Sequence, residues 1–133
     1  MTKSPLIRWG VVLGGLFLLL TSPLAAAEPR PVSTVLTVKL KGDRDTYLQQ
    51  IKKLMALAEK AQTGGKIRVW RASLAGDSTG MLFVAVEYAS LEAMAKGMTK
   101  MQGDDEWRKL VKEVDQSGVR EVVSSMLIEE ITP

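Results

Sequence analysis

Cysteine and histidine are both absent from the sequence. Without cysteine the chain forms no disulfide and offers neither a thiolate nucleophile nor a thiolate metal ligand. Without histidine it has no imidazole base, no imidazole metal ligand and no proximal ligand for haem. The two absences exclude most hydrolase, oxidoreductase and zinc-enzyme sites, and we predict neither a metal nor a cofactor.

An excess of charge of one sign is also lacking, because 18 basic residues are nearly balanced by 15 acidic ones. The glycines occur singly or in pairs and form none of the glycine-rich patterns that cradle phosphate groups. A nearly neutral surface with charges of both signs gives no electrostatic reason to bind nucleic acid, so we predict no nucleic-acid partner.

The first 27 residues have the three parts of an export signal. Lys3 and Arg8 form a short basic region, and residues 10–20 form an uncharged apolar run. Small residues at 25–27 then supply a site for signal peptidase. This pattern predicts residues 1–27 to be a signal peptide that is removed after Ala27.

An uncleaved membrane anchor is the alternative interpretation of the same segment. A membrane span needs about 20 apolar residues, whereas this run is bounded by Arg8 and Pro23. Cleavage leaves 16 basic and 15 acidic residues, a net charge of +1. We therefore expect a mature chain in the periplasm or outside the cell, with no membrane partner.

After a short extended lead at 28–32, residues 33–133 read as one domain with alternating strand and helix patterns. Apolar residues alternate in four β-type runs. These predicted strands are 33–41, 66–74, 81–88 and 119–131. A first helix is predicted from a cap at Asp43 or Asp45 to Gly64-Gly65, and a second after Ser90, interrupted at Gly103 and resuming after Asp104.

The order βαββαβ predicts an α+β fold of the ferredoxin-like type, a four-stranded antiparallel sheet with helices on one face. The third predicted strand is apolar on both faces, with Phe83 and Ala85 on one and Leu82 and Val84 on the other. Since helices cover only one face, another surface must cover the second. A second copy of the chain is the simplest candidate, so we predict a homodimer.

Short motifs in this domain resemble those of the dimeric α/β-barrel superfamily, and within it the antibiotic-biosynthesis-monooxygenase-like and NIPSNAP-like small domains. The matching elements are Trp70-Arg71, Glu87-Tyr88 followed by Ser90-Leu91, and Asp105-Glu106-Trp107. The resemblance implies a homodimer whose two sheets face each other, with a small pocket in each protomer. It implies no single activity, because members include cofactor-free oxygenases, isomerases and haem-degrading enzymes. The haem-degrading branch requires a histidine ligand, which this chain lacks.

Five residues are the candidates for a ligand pocket: Trp70, Arg71, Glu87, Tyr88 and Trp107. A hairpin loop centred near Ser78 would place Arg71 diagonal to Glu87 on one face. It would place Trp70 opposite Val86, and Arg68 opposite Tyr88, on the other face. Charged residues inside apolar strands are seldom buried unless paired. Arg71 and Glu87 thus form either a structural ion pair or a polar handle on a bound small molecule.

Two further groups of residues have a structural and a functional interpretation. The acidic residues at helix starts, Asp43, Asp45 and 104–106, are predicted to cap the helices rather than to bind a hard metal ion. Met94, Met98 and Met101 have helical spacing and are predicted to fill the core. A flexible ligand-lining surface is the alternative for these methionines.

The sequence leaves open whether the protein is an enzyme. One hypothesis is a non-catalytic binding or structural dimer, and the other is a cofactor-free oxygenase or isomerase that acts on a small aromatic or polyketide-like compound. The enzyme needs a water-excluding cavity near Trp70, Tyr88 and Trp107 with convergent polar groups. The structural dimer predicts a filled interior instead.

Overall fold

The structure is a computed structural model that describes residues 29–133, so the predicted signal peptide and its cleavage after Ala27 lie outside the described residues. Within these residues, four strands and three α-helices follow the predicted order. They are β1 (Val32–Leu40), α1 (Arg44–Lys60), β2 (Lys66–Arg71), β3 (Leu82–Tyr88), α2 (Leu91–Gly103), α3 (Asp105–Ser117) and β4 (Arg120–Glu129). The interruption predicted at Gly103 is the boundary between α2 and α3.

The four strands form one sheet in the order β2-β3-β1-β4, and every neighbouring pair is antiparallel. The first strand therefore lies inside the sheet, between β3 and β4. Strands β2 and β4 form the two edges of the sheet. This arrangement confirms the predicted ferredoxin-like α+β fold.

The core lies between the helices and one face of the sheet. Leu36, Val38 and Leu40 point from β1 toward the helices, as their alternation predicts. Leu82 and Val84 do the same from β3. The helices contribute Tyr47, Ile51, Leu54, Ala58, Leu110 and Val114. Burial of this apolar surface is the main favourable contribution to folding.

Each helix begins at a capping side chain, which confirms the predicted role of the acidic residues at 43 and 104. Asp43 accepts a hydrogen bond from the Thr46 backbone N–H at 2.8 Å, which lowers the pKa of its carboxyl group. Ser90 and Asp104 cap α2 and α3 in the same way. Within residues 29–133, no group of three or more acidic side chains could hold a metal ion.

Helix α2 rests on the rest of the domain through a glycine. Gly97 is the buried residue of this helix, and a Cβ atom there would lie 2.4 Å from the Thr63 carbonyl oxygen. The same Cβ would lie 2.8 Å from Cε1 of Tyr88. No other residue type permits so close an approach of the two backbones.

No helix in the described part of the chain is long and apolar enough to cross a membrane.

Because α2 is seated on Gly97, its methionines do not reach the core. Met94 and Met101 are half-buried and Met98 is 40% exposed. None of the three belongs to the core or to the apolar residues packed against it. The prediction that they fill the core is therefore wrong. Their helical spacing was real, but it marks a half-exposed face.

Strand β4 contains a bulge that changes which side chains share a face. Thr37 pairs with Ser124 whereas Val38 pairs with Val122, so Val123 is an extra residue in β4. As a result Val122 lies on the helix-facing side of the sheet and Ser124 on the other. Apolar side chains are half-exposed on both faces of this edge strand.

Candidate functional site

The face of the sheet that points away from the helices is the candidate functional surface, and we call it the open face. The strand register arranges its side chains in rows that run from β2 to β4. These rows are Lys66-Glu87-Ser33-Ile128, Arg68-Ala85-Val35-Met126 and Trp70-Phe83-Thr37-Ser124. The charged side chains of the three rows all lie on β2 and β3. The part over β1 and β4 is apolar or carries only hydroxyl groups.

An ion pair lies on this surface. Nε of Arg68 is 2.9 Å from Oε2 of Glu87, and the two side chains are 45% and 39% exposed. Arg68 faces Ala85 and Glu87 faces Lys66 in the register, so the ion pair is a diagonal one. The predicted pairing of Glu87 with Arg71 is wrong, because Arg71 faces Leu82 and belongs to the helix-facing side.

The error has its origin in the hairpin loop. Residue Trp70 faces Phe83 rather than Val86, a displacement of three positions from the predicted register. The loop is not centred on Ser78. It contains a 3₁₀ turn at Gly76–Ser78 and closes with two hydrogen bonds, in which the Ala72 N–H donates to the Met81 carbonyl and the Gly80 N–H donates to the Ala72 carbonyl. A displacement by an odd number of residues moves side chains to the opposite face. Glu87 therefore meets Arg68.

The five candidate pocket residues do not line a common cavity. Trp70 lies on the open face and is 47% exposed, and Glu87 shares that face. Arg71 lies beside the start of α1, in a shallow depression that Trp70 also borders, together with Arg44 and Asp45. Tyr88 and Trp107 lie on the helix side of the sheet. The convergence of polar groups near Trp70, Tyr88 and Trp107 that an enzyme requires is not found among the described residues.

Tyr88 is held by packing. Its ring lies between Gly65 and Gly97, since a Cβ atom at either glycine would come within 2.8 Å of Cε1. Burial raises the pKa of the Tyr88 hydroxyl above its usual value. The ring therefore joins α2 to the end of β3 and is neutral at any physiological pH.

Sequence reasoning missed a surface cavity of about 440 Å³ between the start of α2 and the end of β4. Val32, Leu91 and Leu127 form its apolar part. Arg30 and Glu129 lie beside them with their charged groups 4.0 Å apart. The two-sided apolar pattern of β4 is the sequence signal for it, because it leaves Leu127 uncovered on the helix side.

A second polar cluster that the sequence did not reveal surrounds Arg120 at the start of β4. Its side chain is only 11% exposed. The guanidinium group donates to the Tyr47 hydroxyl at 3.1 Å and to Asp115 at 3.2 Å, and lies 5.7 Å from the centre of the Tyr47 ring. These contacts join α1, α3 and β4, so this cluster is structural.

The observed ion pair predicts which charged residues are coupled in stability. Arg68→Ala and Glu87→Ala should show a coupling of about 0–1 kcal/mol in the isolated chain, as is usual for exposed pairs. Dimerisation that buries the pair should raise the cost of removing either partner alone toward about 3–5 kcal/mol, because the remaining charge is left buried and unpaired, and should raise the coupling with it. Denaturant melts of the four proteins at low and high concentration measure it. Arg71→Ala is the matched control and should be additive with Glu87→Ala, and coupling of Glu87 to Arg71 instead would contradict the observed register.

No protein-family model matches the chain, and no curated protein matches it in sequence. Solved structures do match it. A NIPSNAP family protein of unknown function from Agrobacterium tumefaciens superposes with a TM-score of 0.59 at 14% identity, covering 80% of this chain and 96% of that one. An antibiotic-biosynthesis-monooxygenase-like protein from Bordetella bronchiseptica superposes with a TM-score of 0.52 at 14% identity, covering 77% of this chain and 99% of that one.

A conserved protein of unknown function and possible oxidoreductase from Bacteroides thetaiotaomicron also matches, with a TM-score of 0.54 at 12% identity over 77% of this chain and all of that one. Identities this low establish a common fold and leave the activity open. The resemblance inferred from the Trp70-Arg71 and Glu87-Tyr88 motifs is thus confirmed at the level of architecture. The chain has the ferredoxin-like fold of the NIPSNAP and antibiotic-biosynthesis-monooxygenase-like proteins.

Proposed function

We propose that the protein is exported and acts as a homodimer with a non-catalytic binding or structural role, in which the open faces of two copies pack together as an α/β barrel. The observation that carries this proposal is the composition of the open face. Val35, Phe83, Met126 and Ile128 form an apolar field next to Trp70. A sheet face that is exposed to water normally carries polar side chains. An apolar field of this kind therefore needs another surface to pack against it.

The open face also fits a partner of its own kind. Sheets that pack face to face are about 10 Å apart and interdigitate apolar side chains. Thr37 and Ala85 at the centre are already buried by their larger neighbours, which leaves Trp70, Met126 and Ile128 to enter a facing sheet. A two-fold axis would match these rows with the same rows of the partner.

A charge placed in the middle of the apolar field should prevent this association. The protein should sediment as a dimer at micromolar concentration, and Val35→Arg should sediment as a monomer, because a buried unpaired charge costs several kcal/mol. Leu74→Arg is the control, since Leu74 is fully exposed in the hairpin loop and should leave the dimer intact. Circular dichroism verifies that both variants are folded.

Two results would contradict the proposal. One is a monomeric native protein, which would mean that the open face needs no partner copy. The other is a Val35→Arg variant that is folded and still dimeric, which would place the interface elsewhere, for example at the outer edge of β4.

A second candidate is a cofactor-free oxygenase or isomerase, and the cavity between α2 and β4 favours it. Apolar walls with a few polar groups are the usual form of a small-molecule site, and Val32, Leu91 and Leu127 beside Arg30 and Glu129 have that composition. Two of the similar structures are described as monooxygenase-like or as a possible oxidoreductase. Incubation with small aromatic compounds under air, followed by chromatography, separates the candidates, because only this one predicts that a compound bound in the cavity is converted to a product.

A further inference from the structure

A surface groove runs along helix α3, in the helix layer and away from the open face. Its volume is about 490 Å³, within the range of about 300–1,000 Å³ that is usual for small-molecule sites. Trp107 and Val111 form its apolar wall. Both side chains are half-buried and pack against the core, so each has a packed side and a side open to the groove. The polar residues that line the groove are Gln102, Arg108, Lys112, Asp115 and Gln116.

The helical positions explain why apolar and charged side chains meet in this groove. Trp107 and Val111 are four residues apart, as are Arg108 and Lys112, so they form two adjacent rows along α3. At a rise of about 1.5 Å per residue, each row is about 6 Å long. The apolar row then reaches Asp115, where a longer apolar chain would meet a carboxylate. The wall therefore suits a compact apolar body, such as two fused rings.

The charged groups of the groove leave one cation without a partner. Arg108 forms an ion pair with Asp105, one turn away on the same helix. Asp115 accepts a hydrogen bond from the Arg120 guanidinium group at 3.2 Å. Within residues 29–133, Lys112 forms no ion pair. An uncompensated positive charge thus lies beside the apolar wall, and it complements a ligand with a single negative charge.

We propose that the groove binds a small carboxylic acid with a compact aromatic body. Its rings lie against Trp107 and Val111, and the Lys112 ammonium group binds its carboxylate. An aromatic body is favoured over a saturated one because paired aromatic rings attract each other beyond the effect of buried area. The groove lies outside the open face, so the proposed dimer leaves it accessible, and the site does not rest on that dimer.

The test is a calorimetric titration of the purified protein with naphthoate and with naphthamide, which has the same rings but no charge. Naphthoate should bind to one site per chain, and naphthamide about fivefold more weakly, the upper end for an exposed ion pair. Salt should weaken the binding of naphthoate alone, because it screens exposed charges. Lys112→Met should bind both compounds with the affinity of naphthamide. Lys109→Met is the matched control, since Lys109 is an exposed lysine of the same helix that does not line the groove, and it should bind like the native protein.

The indole N–H resonances of the two tryptophans in residues 29–133 locate the bound compound. The Trp107 resonance should shift when naphthoate is added, whereas that of Trp70, on the open face, should not. Absence of binding, equal affinities for the two compounds, or equal losses in Lys109→Met and Lys112→Met would overturn the proposal. A shift of Trp70 alone would place the compound on the open face and also overturn it. So would a Trp107 resonance that responds to protein concentration and not to naphthoate, because a second copy would then cover the groove.

Discussion

Replacement of Gly97 by alanine should lower the free energy of unfolding by about 1–3 kcal/mol, the usual effect of adding a methylene to a closely packed contact. The new Cβ atom would lie 2.4 Å from the Thr63 carbonyl oxygen, which is part of the backbone and has no freedom to rotate away. Helix α2 would have to move off the Tyr88 ring. The sign of the effect is diagnostic, because glycine to alanine in a helix is otherwise stabilising by about 0.5–1 kcal/mol.

Gly103→Ala is the matched control for that experiment. It lies at the end of the same helix, and an added Cβ would meet no heavy atom within 4 Å. Its free energy of unfolding should be unchanged or slightly higher. Denaturant melts of the two variants compare them directly. Equal effects at 97 and 103 would show that α2 is not seated on Gly97.

Replacement of Tyr47 by alanine should lower the free energy of unfolding by about 3–5 kcal/mol, the range for truncating a buried aromatic side chain. Tyr47 is completely buried and is among the largest side chains in the core. Its hydroxyl group also accepts the hydrogen bond from Arg120 at 3.1 Å. Tyr47→Phe keeps the ring and should cost about 1.5–3 kcal/mol, as for hydrogen bonds to charged groups.

The contribution of the hydroxyl group can be assigned by a second substitution. In an Arg120→Met background, Tyr47→Phe should cost much less, since its charged partner is gone. Denaturant melts of the four proteins give the coupling. A hydroxyl effect of the same size with and without Arg120 would mean that Tyr47 acts through some other contact.

The sheet was predictable because apolar residues alternate along the strands and mark the face that points toward the helices. Leu36 and Val38 of β1, and Leu82 and Val84 of β3, lie on the helix side as expected. Helix starts were predictable because Asp43, Ser90 and Asp104 are good caps. Both signals come from residues that are neighbours in the sequence, and tertiary contacts override neither of them.

The register of the β2–β3 hairpin and the packing of α2 were not predictable, because each depends on contacts that leave no pattern in the local sequence. The 3₁₀ turn at Gly76–Ser78 shifted the hairpin and gave Glu87 a different partner. Gly97 turned the methionines outward, although the helical spacing of Met94 and Met98 is also that of a core-facing stripe. A glycine in a helix signals close approach only once its neighbour in space is known.

The faces of the candidate pocket residues were not predicted. The predicted register placed Trp70 and Glu87 on opposite faces, whereas they share the open face, and Arg71, Tyr88 and Trp107 lie on the helix side of the sheet. Residue types alone identified polar and aromatic side chains without their orientation. The cavity beside Leu127 was missed because β4 changes faces at the Val123 bulge.

The central position of β1 makes the order of synthesis matter for folding. Val32 pairs with Glu129, a separation of 97 positions, so the sheet is completed by contacts of high sequence distance. Such contacts fold slowly because a long loop must close before they form. A nascent chain that has reached only β3 leaves one edge of β1 without hydrogen-bond partners, which invites pairing with other chains. A chaperone that shields this strand until β4 is free to pair with it would therefore raise the yield of native protein.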